Sequence, residues 1–409
     1  MNAPLAADER IAARVTAAAT TAFLVIAPVT SSSGWRVALL IVATLGLAHI
    51  AWHHGARRLA GPMPRHFLVL YGLWALLATA SLAWSADPGY SLAELRREVL
   101  YGALAFGVFF HAATSAARLR LWGGALIAGS VALALFEIVR AHAAPALAPW
   151  HGGPGRFSTH LALVAPFLLL LLTGPPEGFG RRFGLAGIAF ALLGIAALDT
   201  HNRIVWAAFL AALVTLAVAM APVVAGPARR RFATATILGA AVLAALLALS
   251  LAQKLDMSYP GASSTAETFE LDHRHRLWAI AAEAIEARPV AGHGFGREVL
   301  ERHFRTHMSG PGYEFATHGH NLFLNTAVSL GALGVALLAA ILAALALEHG
   351  RNLARPGTRV LGAIGLALLA AFVVKNLTDD FFNRHNALVF WALNGMLAGL
   401  GRRPRGDGA

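Results

Sequence analysis

The sequence predicts an all-α polytopic membrane protein, with about twelve transmembrane helices and one large loop between the ninth and tenth. Three observations carry this. Hydrophobic residues make up 57% of the 409 and charged residues 13%, against roughly half apolar and a quarter charged in soluble domains. The apolar residues fall in long runs of about 20, the length that a hydrocarbon core of about 30 Å demands of a helix. Lys and Arg then gather in every second connection, as topology in a membrane requires. Backbone groups in lipid must pair within their own segment, so the runs are helices and not open sheet.

The runs lie near 11–30, 35–52, 66–84, 95–113, 120–140, 157–173, 183–199, 203–225, 232–252, 321–347, 359–376 and 385–400. The fourth has Glu98 close to its start. The seventh and eighth are separated only by the turn Asp199-Thr200-His201-Asn202-Arg203. The chain thus divides into three sections of one integral membrane domain: nine spans in 1–252, a loop domain at 253–320, and three spans with a tail in 321–409. No stretch reads as a linker between soluble domains, and no short internal repeat is visible. The first run has a span's length and a basic loop at 57–65 comes after the second, which predicts a retained helix over a cleaved signal peptide.

Orientation follows from the basic residues. With the N-terminus inside and alternating spans, the inner segments hold 18 of the 33 Lys and Arg against five acids, a net of +13, and everything else nets −1. The short inner loops obey the positive-inside rule, so both termini face the cytoplasm. The overall charge of +12 is spread in twos and threes at membrane edges, among them Arg57-Arg58, Arg181-Arg182 and Arg229-Arg230-Arg231. It therefore predicts contact with anionic membrane lipids and no nucleic acid. The chain has no cysteine, so it uses neither disulfides nor thiolate chemistry and suits an oxidising compartment.

Function is then sought on the outer face. Of the 18 histidines, 12 fall there: His142, His151, His160, His201, His385 and seven in the 253–320 loop. Within that loop Asp272 is placed to cap a helix through Arg274, Arg276, Leu277, Trp278 and Ile285. Leu277, Ile280, Ala281 and Ala284 form its apolar stripe, and Pro289 stops it. Such a helix lies on the membrane surface or caps the bundle. The run Gly292-His293-Gly294-Phe295-Gly296 reads as a tight turn, with a phosphate-cradling nest as the alternative.

Metal chemistry has two openings. His318 with His320, or His303 with His307, offer zinc-ligand spacing, but without the cysteines or the His-Glu-x-x-His pattern of established sites; no metal and no cofactor are expected. Asp379-Asp380 also suits a divalent ion, but Lys375 and Arg384 are near enough in sequence to neutralise the pair, which predicts a structural role.

The sharpest pattern is His318-Gly319-His320-Asn321, nine residues, then Gly331-Ala332-Leu333-Gly334. His-Asn, nine residues, Gly-x-x-Gly resembles the signature of bacterial O-antigen ligases, in the O-antigen ligase/polymerase superfamily. The upstream Arg274-His275-Arg276-Leu277-Trp278, Pro289 and Gly292-x-Gly294-x-Gly296 are similar to that superfamily's loop. Arg203 and Arg156 stand where the family places outward arginines. Two departures are Asn202-Arg203-Ile204, where small residues would flank the arginine, and His160, where asparagine is more usual.

The resemblance implies an α-helical bundle of the glycosyltransferase C type, in the bacterial inner membrane, with a periplasmic active site. It implies transfer of a glycan from a polyprenyl diphosphate carrier to a sugar of lipid A-core, in lipopolysaccharide biosynthesis. Arginine suits a diphosphate, being permanently charged and fork-shaped, and histidine suits deprotonation of an acceptor hydroxyl near neutral pH. By resemblance the donor diphosphate falls to Arg203, Arg276 and Arg156, and the general base is His320. His318, Asn321, Arg274 and Trp278 stand as supporting residues, with Arg274 as the alternative to Arg276. The plainer readings are interfacial anchoring for the arginines and Trp278 and helix capping for His320. Alternative activities are O-antigen polymerase and protein O-oligosaccharyltransferase. A secondary transporter is the alternative of another class, for which only Glu137 and Glu98 come close to a span.

Overall fold

The computed structural model describes residues 7–55, 59, 61–173, 177–224, 226–258, 273–304 and 318–402; the expected cap Asp272 and the candidate ligand His307 lie outside them. All regular structure among the described residues is helical. In chain order the helices are α1 Ala7–Ile26, α2 Ser33–His54, α3 Arg65–Ala80, α4 Pro88–Glu94, α5 Tyr101–Ala112, α6 Ala116–Ala143, α7 Pro154–Val164 and α8 Leu169–Leu172. Beyond these come α9 Phe179–Asp199, α10 Ile204–Met220, α11 Pro227–Ser258, α12 His273–Ala287, α13 Val299–Phe304, α14 Leu322–Ala354, α15 Arg359–Lys375 and α16 Arg384–Gly401. Among the described residues, eight helical segments are long and apolar enough to cross a membrane: Thr30–His54, Arg65–Ala83, Ala116–Ala143, Pro154–Leu172, Phe179–Asp199, Ile204–Val223, Arg229–Gln253 and Leu322–Ala354. α1, α5, α15 and α16 occupy the other four apolar runs.

The bundle has a protein-lined centre and a lipid-facing rim. α16 is central, with every residue from His385 to Gly401 buried. It lies along α5, and a Cβ added at Gly395 or Gly399 would collide with the carbonyl of Phe106 or Phe110. Small residues let two helices approach where no hydrophobic drive separates protein from lipid. α11 is the opposite case, leaving Ile237, Leu238 and Val242 exposed, as suits a face turned to lipid. Glu98 lies in a π-helical turn, 95–100, and its Oε1 accepts from the backbone N of Arg384 at 2.8 Å. An acceptor there satisfies one of the free N–H groups at the start of α16.

The loop helix α12 packs onto the bundle. Its stripe residues Ile280, Ala281 and Ala284 are buried in a small cluster with Val299, Leu300 and Val328, so α12 caps α14 and does not lie on a lipid surface. It ends at Ala287, two residues before Pro289.

The glycine pattern has a backbone cause. α14 is broken at Gly331 (φ 64°, ψ −162°), which removes the bonds that Ala332 and Leu333 would donate to Val328 and Ser329. The glycine turn restores all four groups. His293 N donates to Val328 O and Gly294 N to Ser329 O, both at 3.0 Å, while Ala332 N and Leu333 N reach Pro289 O at 2.8 Å and Val290 O at 3.3 Å. The exchange needs near-touching backbones: a Cβ on Gly292 would meet the Ser329 carbonyl, and one on Gly331 the Val290 carbonyl. Two N–H groups of the turn are thereby spent on the broken helix, which leaves the tight-turn reading and removes the phosphate nest.

Candidate active site

Two short connections meet at one mouth of the bundle: 318–321 before α14 and 376–383 between α15 and α16. They are sewn together by the first residues of α14. Asn321 caps its own helix, Oδ1 accepting from Phe323 N at 2.9 Å and Leu324 N at 3.0 Å, and its Nδ2 donates to Leu377 O at 2.8 Å. Leu322 N donates to Asn376 O at 3.0 Å. Trp278, on α12, donates Nε1 to Gly319 O at 2.7 Å, so it pins the histidine segment and is not a free interfacial ring.

This stitching puts His320 beside Asp379, with Nδ1 3.6 Å from Asp379 Oδ1. That is an electrostatic contact, longer than a hydrogen bond. Asp379 Oδ2 accepts from the fully buried Lys375 Nζ and from Asn202 Nδ2, both at 2.9 Å. Burial alone would raise the Asp379 carboxyl, but Lys375, His320 and Asn202 outweigh it and hold the group well below the usual carboxylate range. The group beside His320 is therefore a fixed anion. A carboxylate facing Nδ1 favours the tautomer with its proton there, which leaves Nε2 as the basic nitrogen. His320 is half-buried, with 26% of its side chain exposed, so a substrate from outside the bundle can meet it.

His318 is different. It is buried, its Nε2 accepts from Arg297 Nη2, and its ring centroid lies 4.2 Å from that of His320. Burial, with the charges of Arg297 and His320, pushes it well below the ordinary histidine value. A neutral imidazole whose Nε2 lone pair is already engaged is a scaffold for Arg297. Arg297 also donates Nε to Asp380 O at 2.6 Å and lies 5.2 Å over the Phe381 ring. Asp380 accepts from Asn325 Nδ2. Burial raises its carboxyl, against the pull of Arg297 and Asn325. Arg297 was missed in sequence, and its one local signal is its place directly after the glycine turn. Lys375 pairs with Asp379 as expected, while Arg297 takes the place expected of Arg384 beside Asp380; Arg384 makes no ion pair with either.

Of the other expected residues, Arg203 stands half-buried at the start of α10, one residue after the Asn202 that holds Asp379. Arg274 is half-buried and near enough to His318 for its charge to be felt there. Arg276 lies in α12, but its side chain is outside what the structure describes. Arg156 opens α7, donating Nη1 to Gly152 O at 3.4 Å, and its charge reaches Arg297 and Arg384. The outward histidines do not all converge. His160 is a buried core residue on Ser130 Oγ at 2.9 Å, His385 is buried in α16, and His151 stacks on Phe157.

Backbone strain marks the same place. Three non-glycine residues among those described have positive φ: His201 (50°), His320 (49°) and Arg384 (48°). Each adjoins or forms the mouth, and such strain persists where surrounding structure enforces it, often at active sites. Beneath it a cavity of about 70 Å³ is lined by Glu98, Arg297, Asn325 and Asp380 on one side and Tyr71, Trp74 and Trp391 on another.

His318, His320 and Asp379 bring ligand atoms within 4.8 Å of one another, close enough for a metal. Their lone pairs have other uses: His318 Nε2 faces Arg297, and Asp379 Oδ2 holds Lys375 and Asn202. Asp379 Oδ1 and the His320 ring are the ligand atoms these contacts do not engage. As a set, the mouth holds an imidazole beside a buried anion, with Arg297 on the neighbouring histidine, an arrangement suited to proton removal.

In comparison with known proteins, residues 188–339 match the family model described as O-antigen ligase. The matched range holds Arg203, Arg274, Arg276, Arg297, His318, His320, Asn321 and Gly331, and ends before Asp379. No curated protein matches the chain.

Proposed function

We propose, from the match of residues 188–339 to the O-antigen ligase family model, that the chain is an O-antigen ligase of the bacterial inner membrane. It moves a glycan from a polyprenyl diphosphate to a sugar of lipid A-core. The anomeric carbon–oxygen bond to the diphosphate breaks, and the acceptor oxygen bonds to that carbon. His320 takes the acceptor's proton, while the diphosphate leaves with the bonding pair. A diphosphate is a stable anion, so the catalytic task is to bind and offset its charge, which falls to Arg203, Arg276 and Arg156. The observation that carries the reading is His320 held against Asp379 at the open mouth of an apolar helical bundle.

The bundle is read as twelve spans with both termini cytoplasmic and a periplasmic loop domain at 253–320. Reporter fusions near residues 60, 178, 229 and 355 are expected to score cytoplasmic, and those near 150 and 290 periplasmic. A cytoplasmic score at 290 would put the loop on the wrong side for its donor. The transporter alternative needs titratable groups free to cycle inside the spans. Glu137 is instead held by Arg140 at 2.6 Å and Trp150 N at 2.8 Å, and Glu98 caps α16.

In cells that accumulate both the lipid-linked glycan and unmodified lipid A-core, the chain should restore glycan-bearing lipopolysaccharide and the His320→Ala variant should not. Polymerised lipid-linked glycan, or glycosylated protein, would favour the two related activities. Transfer is expected to survive EDTA, because Lys375 and the arginines supply the positive charge. Loss with EDTA and recovery with magnesium or manganese would move the catalytic burden to a metal bound by Asp379.

A further inference from the structure

The opposite end of the bundle carries a cluster that glycan transfer does not use. Asp8 stands in the first turn of α1, and His49 and His54 lie in the last turns of α2. Both imidazoles aim at one carboxylate oxygen: His54 Nε2 is 2.9 Å and His49 Nε2 3.3 Å from Asp8 Oδ2. The three ligand atoms lie within 4.8 Å of one another. Ligands about 2.0–2.1 Å from a tetrahedral zinc ion stand roughly 3.3–3.4 Å apart, so small side-chain shifts would admit one.

A second observation concerns what stands behind the ligands. Glu9 is buried, and its Oε2 lies 3.9 Å from His54 Nδ1, the nitrogen that a metal bound at Nε2 would leave over. A carboxylate in that position sets the tautomer and raises the basicity of a ligating imidazole. The His53 ring lies 4.6 Å from the His49 ring, centroid to centroid, close to the open side. Glu9 thus adds a buried carboxylate behind one of the two rings that meet Asp8.

We propose that Asp8, His49 and His54 bind a divalent cation of the zinc class, with Glu9 orienting His54 and His53 or water completing the shell. The ion fastens the start of α1 to the end of α2, at the face that the positive-inside reading assigns to the cytoplasm.

The test is calorimetric titration of untagged, chelator-stripped full-length protein in detergent with zinc alone, alongside its melting temperature. One site that raises the Tm is expected. The His49→Gln/His54→Gln double variant and Asp8→Asn should abolish it, and Glu9→Gln, which removes no ligand, should weaken it about 10–100-fold. His320→Gln should bind zinc as the unaltered chain does, since the cluster at the other mouth is separate. Glycan transfer by the double variant should be unchanged, showing a folded chain. Absence of binding by the unaltered protein, binding that persists in the double variant, or binding lost in His320→Gln would each overturn the proposal.

Discussion

Replacing His320 by alanine or glutamine is expected to lower glycan transfer by roughly 10²–10⁴-fold, the usual range for a lost general base, with donor binding nearly intact. The separation follows from position, because His320 meets Asp379 and the open mouth while the proposal gives the anion to the arginines. Asp379→Asn should slow transfer without weakening the donor, since it removes the anion that orients the imidazole. It also leaves Lys375 buried without its counter-ion, so stability must be measured beside rate. Single-turnover transfer and donor binding, measured on the same preparations, check both. A His320 variant that ligates normally, or loses donor binding as an arginine variant does, would remove the base assignment.

Arg203→Ala and Arg276→Ala should each lower transfer about ten- to a hundredfold or more. A hydrogen bond to a charged group contributes about 1.5–3 kcal/mol, and about 1.4 kcal/mol is tenfold in rate. Donor affinity should fall with the rate, unlike in the His320 series. Lysine keeps the charge and loses the planar fork, so it should rescue only in part. Titration of each variant with the lipid-linked donor gives the comparison. An alanine variant with unchanged donor affinity would return that arginine to the role of interfacial anchor.

The membrane character was legible because lipid imposes one rule on every residue of a span, and apolar length obeys it. Which helix sits at the centre was not. Arg384–Gly401 is no more apolar than the lipid-facing Pro227–Ser258 region, and only Gly395 and Gly399 hint at close packing. At the site, His320 was legible through its motif, and the Lys375–Asp379 pair through nearness in sequence. The meeting of Asp379 with His320 and with Asn202 was not, since those partners are distant in sequence and joined only by folded connections. The same distance hid Arg297, whose contacts to His318 and Asp380 took the place expected for Arg384. The paired glycines were visible as a pattern. Their cause, a helix broken at Gly331 and mended by a turn from another segment, required both backbones in view.

The most direct measurement is transfer by the purified chain, given a polyprenyl-diphosphate glycan and offered lipid A-core, a second lipid-linked glycan or a pilin-like protein in turn. Glycan should join lipid A-core, polyprenyl diphosphate should be released in equal amount, and His320→Ala should abolish both. Glycan joined to either other acceptor in preference, or full transfer by the His320→Ala variant, would contradict the assignment.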